Sequence, residues 1–399
     1  MGDAEKDVIE PSMEEHLGWT NKQGRILTGG GMASTYFHED RGFGFEEGEL
    51  PHRLLQDGRT HAVFWSWSNE DDDELPPKVS LAGCWDRPLF AGGWEHSTNC
   101  DEHVYNVQTS NLFIDLRIPR ARKALLKMDP EVASLRDLST QQLRILSRQH
   151  VFAGYTKMQT EKGRLVCTRH HCIDWNYVGV ARNRPNKWWV EMRSDGHVWK
   201  EMSYATDDHR QHYYMERWQR RQEGSAVPRL ALRKRRGNGR DGVVVICGDH
   251  FNYVFDRHWP VDEDGRQQAA GSHCATLVDM VDYLLERGKV DVARSYLSVN
   301  GGHGRISQGW MIDCATHPWL EGRALWKKSS VAVVAGDGRQ PPTPTHMLNG
   351  SGAEAEGTGS STFHLTWDGD VWEVHDSSFD SMHAVVAYLE GSFKKEAAH

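Results

Sequence analysis

The sequence of 399 residues lacks long hydrophobic runs, and none approaches the ~18 apolar residues of a membrane-spanning helix. The first sixteen residues are acidic, without the apolar segment of a secretory signal, and Lys6 stands where a myristoylation motif carries serine or threonine. Cysteine is scarce and odd in number, at seven. We therefore expect a cytoplasmic protein with reduced thiols, no disulfide framework and no membrane partner.

Positive charge is also in deficit, because the net charge is −9. This balance argues against a general nucleic-acid binder. The exception is the stretch 217–240, which carries nine Arg or Lys and one Glu. Its run 233–236 fits either a nucleic-acid patch or a solvated hairpin end, and we favour the hairpin end.

Sequence motifs for cofactors and for covalent catalysis are absent. The chain has no GxSxG elbow, no catalytic-cysteine signature, no Walker motif, and no CxxC or HExxH spacing. We predict no cofactor and no metal site. The strand 164–175 is rich in Cys and His, but alternation distributes these residues over both of its faces.

Short strands separated by turn clusters dominate the sequence, together with 16 Trp and 22 His. The pattern predicts a mainly antiparallel β fold in two barrel-like lobes with a few short helices. We expect an acidic tail over 1–16, a first lobe over 17–225, a basic linker or hairpin over 226–240, and a second lobe over 241–399. The segment 336–361, rich in Gly, Pro, Ser and Thr, is predicted to be a disordered insertion in the second lobe.

Several elements can be assigned from periodicity. The strand 112–118 alternates, with four aliphatic residues on one face and Phe113, Asp115 and Arg117 on the other. Strands are also predicted at 60–67, 151–156, 164–175, 187–193, 197–203, 243–246 and 252–255. Helices are predicted from a capping box at Ser139 to about Gln149, and over 272–286 with Gly288 as its C-cap. The motif DGxVW occurs at 195–199 and again at 368–372, which fits either two similar lobes or chance, since DG turns are common.

The candidate site residues lie mostly on the first lobe. His171 is the candidate general acid–base, because histidine titrates near neutral pH. Asp174 would orient it only if a bend brings the two together, since regular alternation puts them on opposite faces. Arg117 would neutralise a carboxylate or oxyanion, or it is held structurally by Asp115 or Glu216, and we favour a mixed role with one edge of its fork toward the cavity. Glu216 is the fourth catalytic candidate, as a carboxylate partner for Arg117 or His171. The remaining candidates, proposed for substrate binding, are Asp115, His170, Trp175, Arg305 and Trp310.

In the second half, the sequence 300–305 reads NGGHGR and favours a flexible loop that leads into a strand. Its backbone N–H groups could cradle an anion, although glycines that supply positive φ in a turn are the preferred interpretation. Trp310 and its neighbours to Trp319 fit an aromatic core better than a binding cage.

Four short motifs resemble those of a widespread, poorly characterised group of calycin (lipocalin-like) proteins. Residues 111–119 (NLFIDLRIP) are similar to its LYxDLRIP strand, 152–154 with 173–175 to its FAG…WHxID stretch, and 216–218 to its ExW strand. Residues 304–306, 309–312 and 317–322 resemble its GRI…GWxI…PWxEG ending. The resemblance implies a cytosolic lipocalin-like β architecture and does not imply an activity.

The functional hypothesis is a binding protein for a small, potentially anionic molecule, or an enzyme of lyase, isomerase or hydrolase type. Its cavity in the first lobe would be lined by Trp, His and Arg. The sequence leaves open whether the protein is an enzyme. The alternative is a non-catalytic protein-interaction module whose second lobe docks a partner.

Overall fold

A computed structural model of the chain describes residues 79–92, 102–161, 163–177, 186–203, 214–222, 224–225, 227–234, 240–257, 277–326, 331–333 and 363–392. The predicted tail over 1–16, the strand over 60–67 and the insertion over 336–361 lie outside these residues. Among the described residues, no helix is long and apolar enough to cross a membrane.

The first eight strands form a closed antiparallel barrel, because each pairs with the next and β8 pairs with β1. Closure leaves no strand edge unpaired. The strands are β1 (Gly83–Gly92), β2 (Glu102–Gln108), β3 (Leu112–Pro119), β4 (His150–Glu161), β5 (Arg164–Asp174), β6 (Asn186–Met192), β7 (Val198–Ser203) and β8 (Tyr214–Arg220).

Strand β3 shows how sequence alternation separates the two faces of the barrel wall. All eight of its residues are buried. Leu112, Ile114, Leu116 and Ile118 join an apolar core outside the barrel, whereas the intervening residues face the interior. The face assignment made from the sequence is therefore confirmed for this strand.

The remaining strands form one eight-stranded antiparallel sheet, in the order β13-β12-β11-β10-β9-β16-β15-β14. This arrangement confirms the mainly antiparallel β class. The second sheet follows the same cyclic up-and-down order as the barrel, with an interruption between β13 and β14. Its strands are β9 (Arg229–Lys234), β10 (Gly242–Cys247), β11 (His250–Phe255), β12 (Asn300–Arg305), β13 (Met311–Ala315), β14 (Val331–Val333), β15 (Phe363–Trp367) and β16 (Asp370–Ser377).

The basic stretch 226–240 carries β9, which pairs with both β10 and β16. Strands β9 and β10 are therefore the two arms of an antiparallel hairpin. The repeated DGxVW motif supplies two hairpin turns, in which Gly196 and Gly369 both have positive φ. The first turn joins β6 to β7, which are the sixth and seventh strands of the barrel. The second turn joins β15 to β16, which are the seventh and eighth strands of the second sheet in chain order. The two copies of the motif therefore do not occupy equivalent positions.

Five α-helices occur in the described residues: α1 (Arg122–Leu126), α2 (Thr140–Ser147), α3 (Leu277–Glu286), α4 (Val290–Tyr296) and α5 (Met382–Ser392). Short 3-10 helices span Leu135–Asp137 and Pro318–Leu320. The capping box predicted at the start of α2 is present, since Ser139 and Gln142 each bond the other's backbone N–H. Gly288 follows α3 with a φ of +68°, as a C-cap glycine does.

The second sheet separates two apolar cores. One core fills the space between the outer wall of the barrel and the near face of the sheet, and α2, α3 and α4 contribute to it. The other core covers the far face, where α5 packs over Trp310, Trp367 and Trp372. The near face thus ties the two halves of the chain together.

Candidate functional site

The barrel interior is lined by charged side chains as well as by apolar ones. Strand pairing places them on the inward face, because directly paired residues of neighbouring strands point the same way. Trp85, Trp199 and Trp218 form the centre of an interior apolar cluster. The buried charged residues of the described interior are Arg87, Arg117, Arg169, Glu102, Asp115, Asp174, Glu201 and Glu216.

Arg117 is held by two carboxylates. Its Nε and Nη2 donate to Oδ1 and Oδ2 of Asp115 at 2.8 and 3.1 Å, and its Nη1 donates to Oε1 of Glu216 at 3.1 Å. All three side chains are fully buried. A guanidinium removed from water requires such partners, and the bidentate contact matches its planar fork. The sequence had proposed both partners for Arg117, and the structure brings them together.

Arg87 extends this network through Glu216. Its Nη1 donates to Oε1 of Glu216 at 2.7 Å and its Nη2 to Oε2 of Glu102 at 2.6 Å. Burial alone would raise the pKa values of Asp115 and Glu216, but Arg117 and the neighbouring guanidinium groups outweigh it and lower both. Asp115 and Glu216 therefore remain ionised at neutral pH.

A second cluster joins two histidines to one carboxylate. Nδ1 of His171 lies 2.6 Å from Oδ2 of Asp174, and Nε2 of His150 lies 3.4 Å from Oδ1. The backbone N–H of Asn176 also donates to Oδ1, at 2.8 Å. Burial alone would raise the pKa of Asp174, but its hydrogen bonds with the two histidines outweigh that effect and lower the pKa. Asp174 is thus an ionised acceptor, so each histidine presents an N–H to it.

A β-bulge in β5 makes this cluster possible. Ala153 of β4 pairs with Ile173, whereas the next residue, Gly154, pairs with His171, so Cys172 is the extra residue. The bulge turns His171 and Asp174 to the same side of the strand, which is the bend that the sequence analysis required. A Cβ atom on Gly154 would lie 1.9 Å from the carbonyl oxygen of His170, so the bulge requires glycine there.

Phe152 contacts both imidazoles. Its ring stacks on the His171 imidazole, with 4.6 Å between the ring centres. It is tilted against the His150 imidazole, with 4.7 Å between the ring centres. The guanidinium of Arg117 lies 5.6 Å from the centre of the same ring. The ring therefore connects the histidine cluster with the ion network and limits rotation of both imidazoles.

Several buried polar atoms of the interior have no hydrogen-bond partner among the described residues. Nδ1 of His150 is one, and both polar atoms of the Gln108 side chain are others. Buried polar groups in native proteins are nearly always satisfied by protein, water or ligand. The remaining interior atoms of this kind are Oδ1 of Asn106, Oε1 of Glu102, and the indole Nε1 of Trp199 and Trp218.

Four of the sequence candidates lie away from these clusters. His170 points outward from β5 and is exposed. Trp175 is buried in the core outside the barrel, where its Nε1 donates to the carbonyl oxygen of Ser147. Arg305 ends β12, and Trp310 is buried in the far core of the second sheet. The structure therefore does not gather these four with His171.

The expected loop over 300–305 is wrong, because these residues form strand β12. None of the glycines in this strand has a positive φ, so they do not form the turn that was preferred from the sequence. They permit close packing: a Cβ on Gly301 would lie 2.7 Å from Cγ2 of Val151, and one on Gly304 would lie 2.0 Å from the carbonyl oxygen of Met311.

The Cys- and His-rich strand holds no group of three metal ligands within the described parts of the chain. Cys167 points into the barrel, and burial raises its pKa to about 12. Cys172 packs against the outer core instead. The distribution over two faces that was expected from alternation is thus present.

Sequence reasoning missed His150, Arg87, Glu102 and Arg169 as interior residues. His150 precedes the predicted strand 151–156 by one residue, and continued alternation with Phe152 would have placed it inside. Arg169 shares the predicted face of His171, and its guanidinium lies 4.6 Å from the ring centre of Phe113. Arg87 and Glu102 lie on strands whose residues show no clear alternation of polar and apolar types.

No protein-family model matches the sequence, and no curated protein matches it. Among solved structures, the uncharacterized protein YLR301w of Saccharomyces cerevisiae is similar, with 14% identity and a TM-score of 0.38. The similarity covers 74% of this chain and 99% of that one. The eight-stranded antiparallel barrel itself is compatible with a calycin-like architecture.

Proposed function

We propose that the barrel interior binds a small polar molecule and that His171 transfers a proton to or from it. The observation that carries the proposal is the bridging of His171 and His150 by Asp174 inside a closed barrel. We also propose a calycin-type barrel and a cytoplasmic location, which the free thiols of the five described cysteines support.

Binding is supported by the unsatisfied polar atoms of the interior. His150 Nδ1 and the Gln108 amide are buried in the same barrel and have no partner in the described part of the chain. Leaving such groups unpaired costs about 1–3 kcal/mol each. A hydrogen-bonding molecule inside the barrel would recover this free energy, whereas an apolar one would not.

The charge of the described part of the interior favours a ligand that is not an anion. Five carboxylates face three guanidinium groups in the described interior. Arg117 also has Asp115 on one edge of its fork and Glu216 on the other, so no edge is left for an anionic group. We therefore propose a neutral or cationic ligand and assign Arg117 a structural role.

The proposed chemistry is general acid–base catalysis. Asp174 accepts from Nδ1–H of His171, which leaves the lone pair of the neutral imidazole on Nε2. A carboxylate that fixes the tautomer in this way also stabilises the imidazolium formed after proton abstraction. Proton abstraction from a bound molecule is the step that lyases and isomerases share, and we propose that reaction class.

Binding can be tested with the purified protein and a panel of polyols, amides, amines, carboxylates and phosphates. At least one neutral or cationic compound should raise the thermal midpoint of the wild type and lose that effect in His171→Gln. The matched control is His170→Gln, because His170 is the adjacent residue on β5 and faces outward. This control should respond like the wild type.

The proton-transfer step has its own readout, which is exchange of a ligand C–H proton in deuterated water followed by NMR. The wild type and His170→Gln should catalyse exchange in the bound compound, and His171→Gln should not. If no compound stabilises the wild type, or if anions alone do so, the proposed binding site is wrong. The interaction-module hypothesis would then take its place.

A further inference from the structure

Three potential metal ligands meet between the barrel and the second sheet. Cys84 lies on β1 with its side chain in the core outside the barrel, while His250 and His303 lie on the neighbouring strands β11 and β12. All three are buried, and their ligating atoms lie within 4.8 Å of one another. This is the only group of three such ligands among the described residues.

Hydrogen bonds fix the proton positions on His303. Nδ2 of Asn252 donates to the carbonyl oxygens of Tyr105 and Ile114, at 2.8 and 3.0 Å. The amide oxygen of Asn252 must then be the atom that faces Nδ1 of His303, at 2.8 Å. An amide oxygen only accepts, so Nδ1 of His303 carries hydrogen and its Nε2 bears the lone pair.

The same argument applies to His250. Its Nε2 lies 3.0 Å from the carbonyl oxygen of Gln222, which is an acceptor only. Nε2 therefore carries the hydrogen of the neutral ring, and Nδ1 bears the lone pair. Consequently the two nitrogens that face each other, Nδ1 of His250 and Nε2 of His303, are both acceptors, and they lie 3.3 Å apart.

Two facing lone pairs require a cation between them, which is either a proton or a metal ion. A proton needs only the two nitrogens, whereas a metal ion needs further ligands. The sulfur of Cys84 lies within 4.8 Å of both nitrogens, and this third ligand favours a metal ion. The separation suits a metal, since two nitrogen ligands about 2.05 Å from a tetrahedral ion are roughly 3.3 Å apart.

We propose that Sγ of Cys84, Nδ1 of His250 and Nε2 of His303 bind a transition-metal ion, with Zn²⁺ as the expected occupant. A thiolate with two imidazoles is a ligand set that zinc prefers, and it leaves a fourth position for water or another donor. Binding displaces the thiol proton of Cys84 to solvent, so one proton is released by this ligand for each ion bound.

The surroundings are those of a supported metal site. The carbonyl of Gln222 and the amide of Asn252 orient the two imidazoles, as outer partners do for metal-bound histidines. The ring of Tyr105 stacks on His303 at 4.0 Å with an interplanar angle of 10°, which fixes the ring plane. The ion would join β1 of the barrel to β11 and β12 of the second sheet, so its role is to staple the two halves of the chain.

The test uses the full chain, purified without a polyhistidine tag. Elemental analysis should find about one zinc per chain in the wild type. After removal of zinc with a chelator and addition of Co²⁺, the protein should show a thiolate-to-cobalt charge-transfer band together with tetrahedral d–d bands. Removal of the metal should lower the thermal midpoint, and restoring Zn²⁺ should recover it.

Cys84→Ala removes the thiolate while adding no bulk, and circular dichroism verifies that it folds. This variant should lose the charge-transfer band and bind Co²⁺ at least tenfold more weakly. The control is Cys167→Ala, since Cys167 is also buried on a barrel strand but faces the interior. It should keep both the metal and the band. A metal-free wild type that does not take up Co²⁺, or a band that survives in Cys84→Ala, would overturn the proposal.

Discussion

Arg117 and Asp115 lie two residues apart on β3 and form a bidentate ion pair inside the barrel, with N–O distances of 2.8 and 3.1 Å. Residues separated by two positions share a face of a strand, so the pair is built into the local geometry of β3. Glu216, which reaches the same guanidinium from β8, is the partner that only barrel closure supplies.

Replacing Arg117 should therefore be strongly destabilising. Arg117→Met leaves Asp115 and Glu216 buried without this cation, and we expect the free energy of unfolding to fall by about 3–5 kcal/mol. Arg117→Lys should lower the free energy of unfolding by less, because lysine keeps the positive charge. It should still lower it, because lysine lacks the planar fork of the guanidinium. Urea denaturation gives the values. The control Lys123→Met lies at an exposed position and should change stability by no more than about 0.5 kcal/mol. An Arg117→Met variant with the same free energy of unfolding as the wild type would show that the ion network is dispensable for stability.

The ion pair should also give stability a specific pH dependence. Arg117 contributes to lowering the pKa of Asp115 in the folded protein, whereas in the unfolded chain this carboxyl titrates near pH 4. The contribution of ionised Asp115 to the free energy of unfolding is fully present above that pH. It is lost as the pH falls toward the lower pKa that Asp115 has in the folded protein. The stability gap between the wild type and Asp115→Asn should thus be constant from pH 7 to 5 and narrow below about pH 4. Urea midpoints measured from pH 7 to pH 3 test this, and a gap that widens in acid would contradict it.

The bulge at the histidine cluster depends on glycine. Gly154→Ala would place a methyl group 1.9 Å from the carbonyl oxygen of His170, so β4 or β5 must shift. We expect a loss of about 1–3 kcal/mol, together with displacement of the His171 imidazole seen in its NMR signals.

The matched control for this substitution is Gly391→Ala on α5. A Cβ at that position meets no atom within 4 Å, and alanine favours the helix by about 0.5–1 kcal/mol. The two glycine substitutions should therefore move the thermal midpoint in opposite directions. Equal effects would mean that the bulge tolerates a side chain.

The contact between the barrel and the second sheet can be tested at Gly301. Its added Cβ would lie 2.7 Å from Cγ2 of Val151 on β4, so Gly301→Ala should destabilise the protein by about 1–3 kcal/mol. Trimming Val151 to alanine makes room, and the double variant should be more stable than additivity predicts, by at least about 0.5 kcal/mol. A strictly additive double-mutant cycle would show that the two strands do not press on each other there.

Much of the secondary structure was accessible from the sequence, because it follows from local periodicity and local chemistry. The alternation of β3 predicted which residues face inward, and the capping box at Ser139 and Gln142 predicted where α2 begins. The strand β12 was mistaken for a loop for the opposite reason. Its glycines are needed because a Cβ atom there would collide with Val151, Tyr253 or Met311, which lie close in the folded structure but not in the local sequence.

The candidate site was accessible in part. His171, Asp174, Arg117, Asp115 and Glu216 were identified by residue type and position, and the structure gathers them on the interior face of one barrel. The sequence predicted contact between His171 and Asp174 only if a bend occurred in the strand. That bend is a β-bulge, which depends on the register between β4 and β5. His170, Trp175, Arg305 and Trp310 were assigned to the site without such a constraint, and they lie elsewhere.

The sequence by itself determined the β class, the two faces of the clearest strand and the main turns, because these depend on neighbours along the chain. The tertiary structure decided which faces meet. It closed β8 onto β1, so that Glu216 reaches Arg117, and it packed the barrel wall against the second sheet, so that Cys84 of β1 meets His250 and His303. These contacts join residues 99 or more positions apart along the chain. Their selection rests on strand register, burial and shape, which no local spacing in the sequence records.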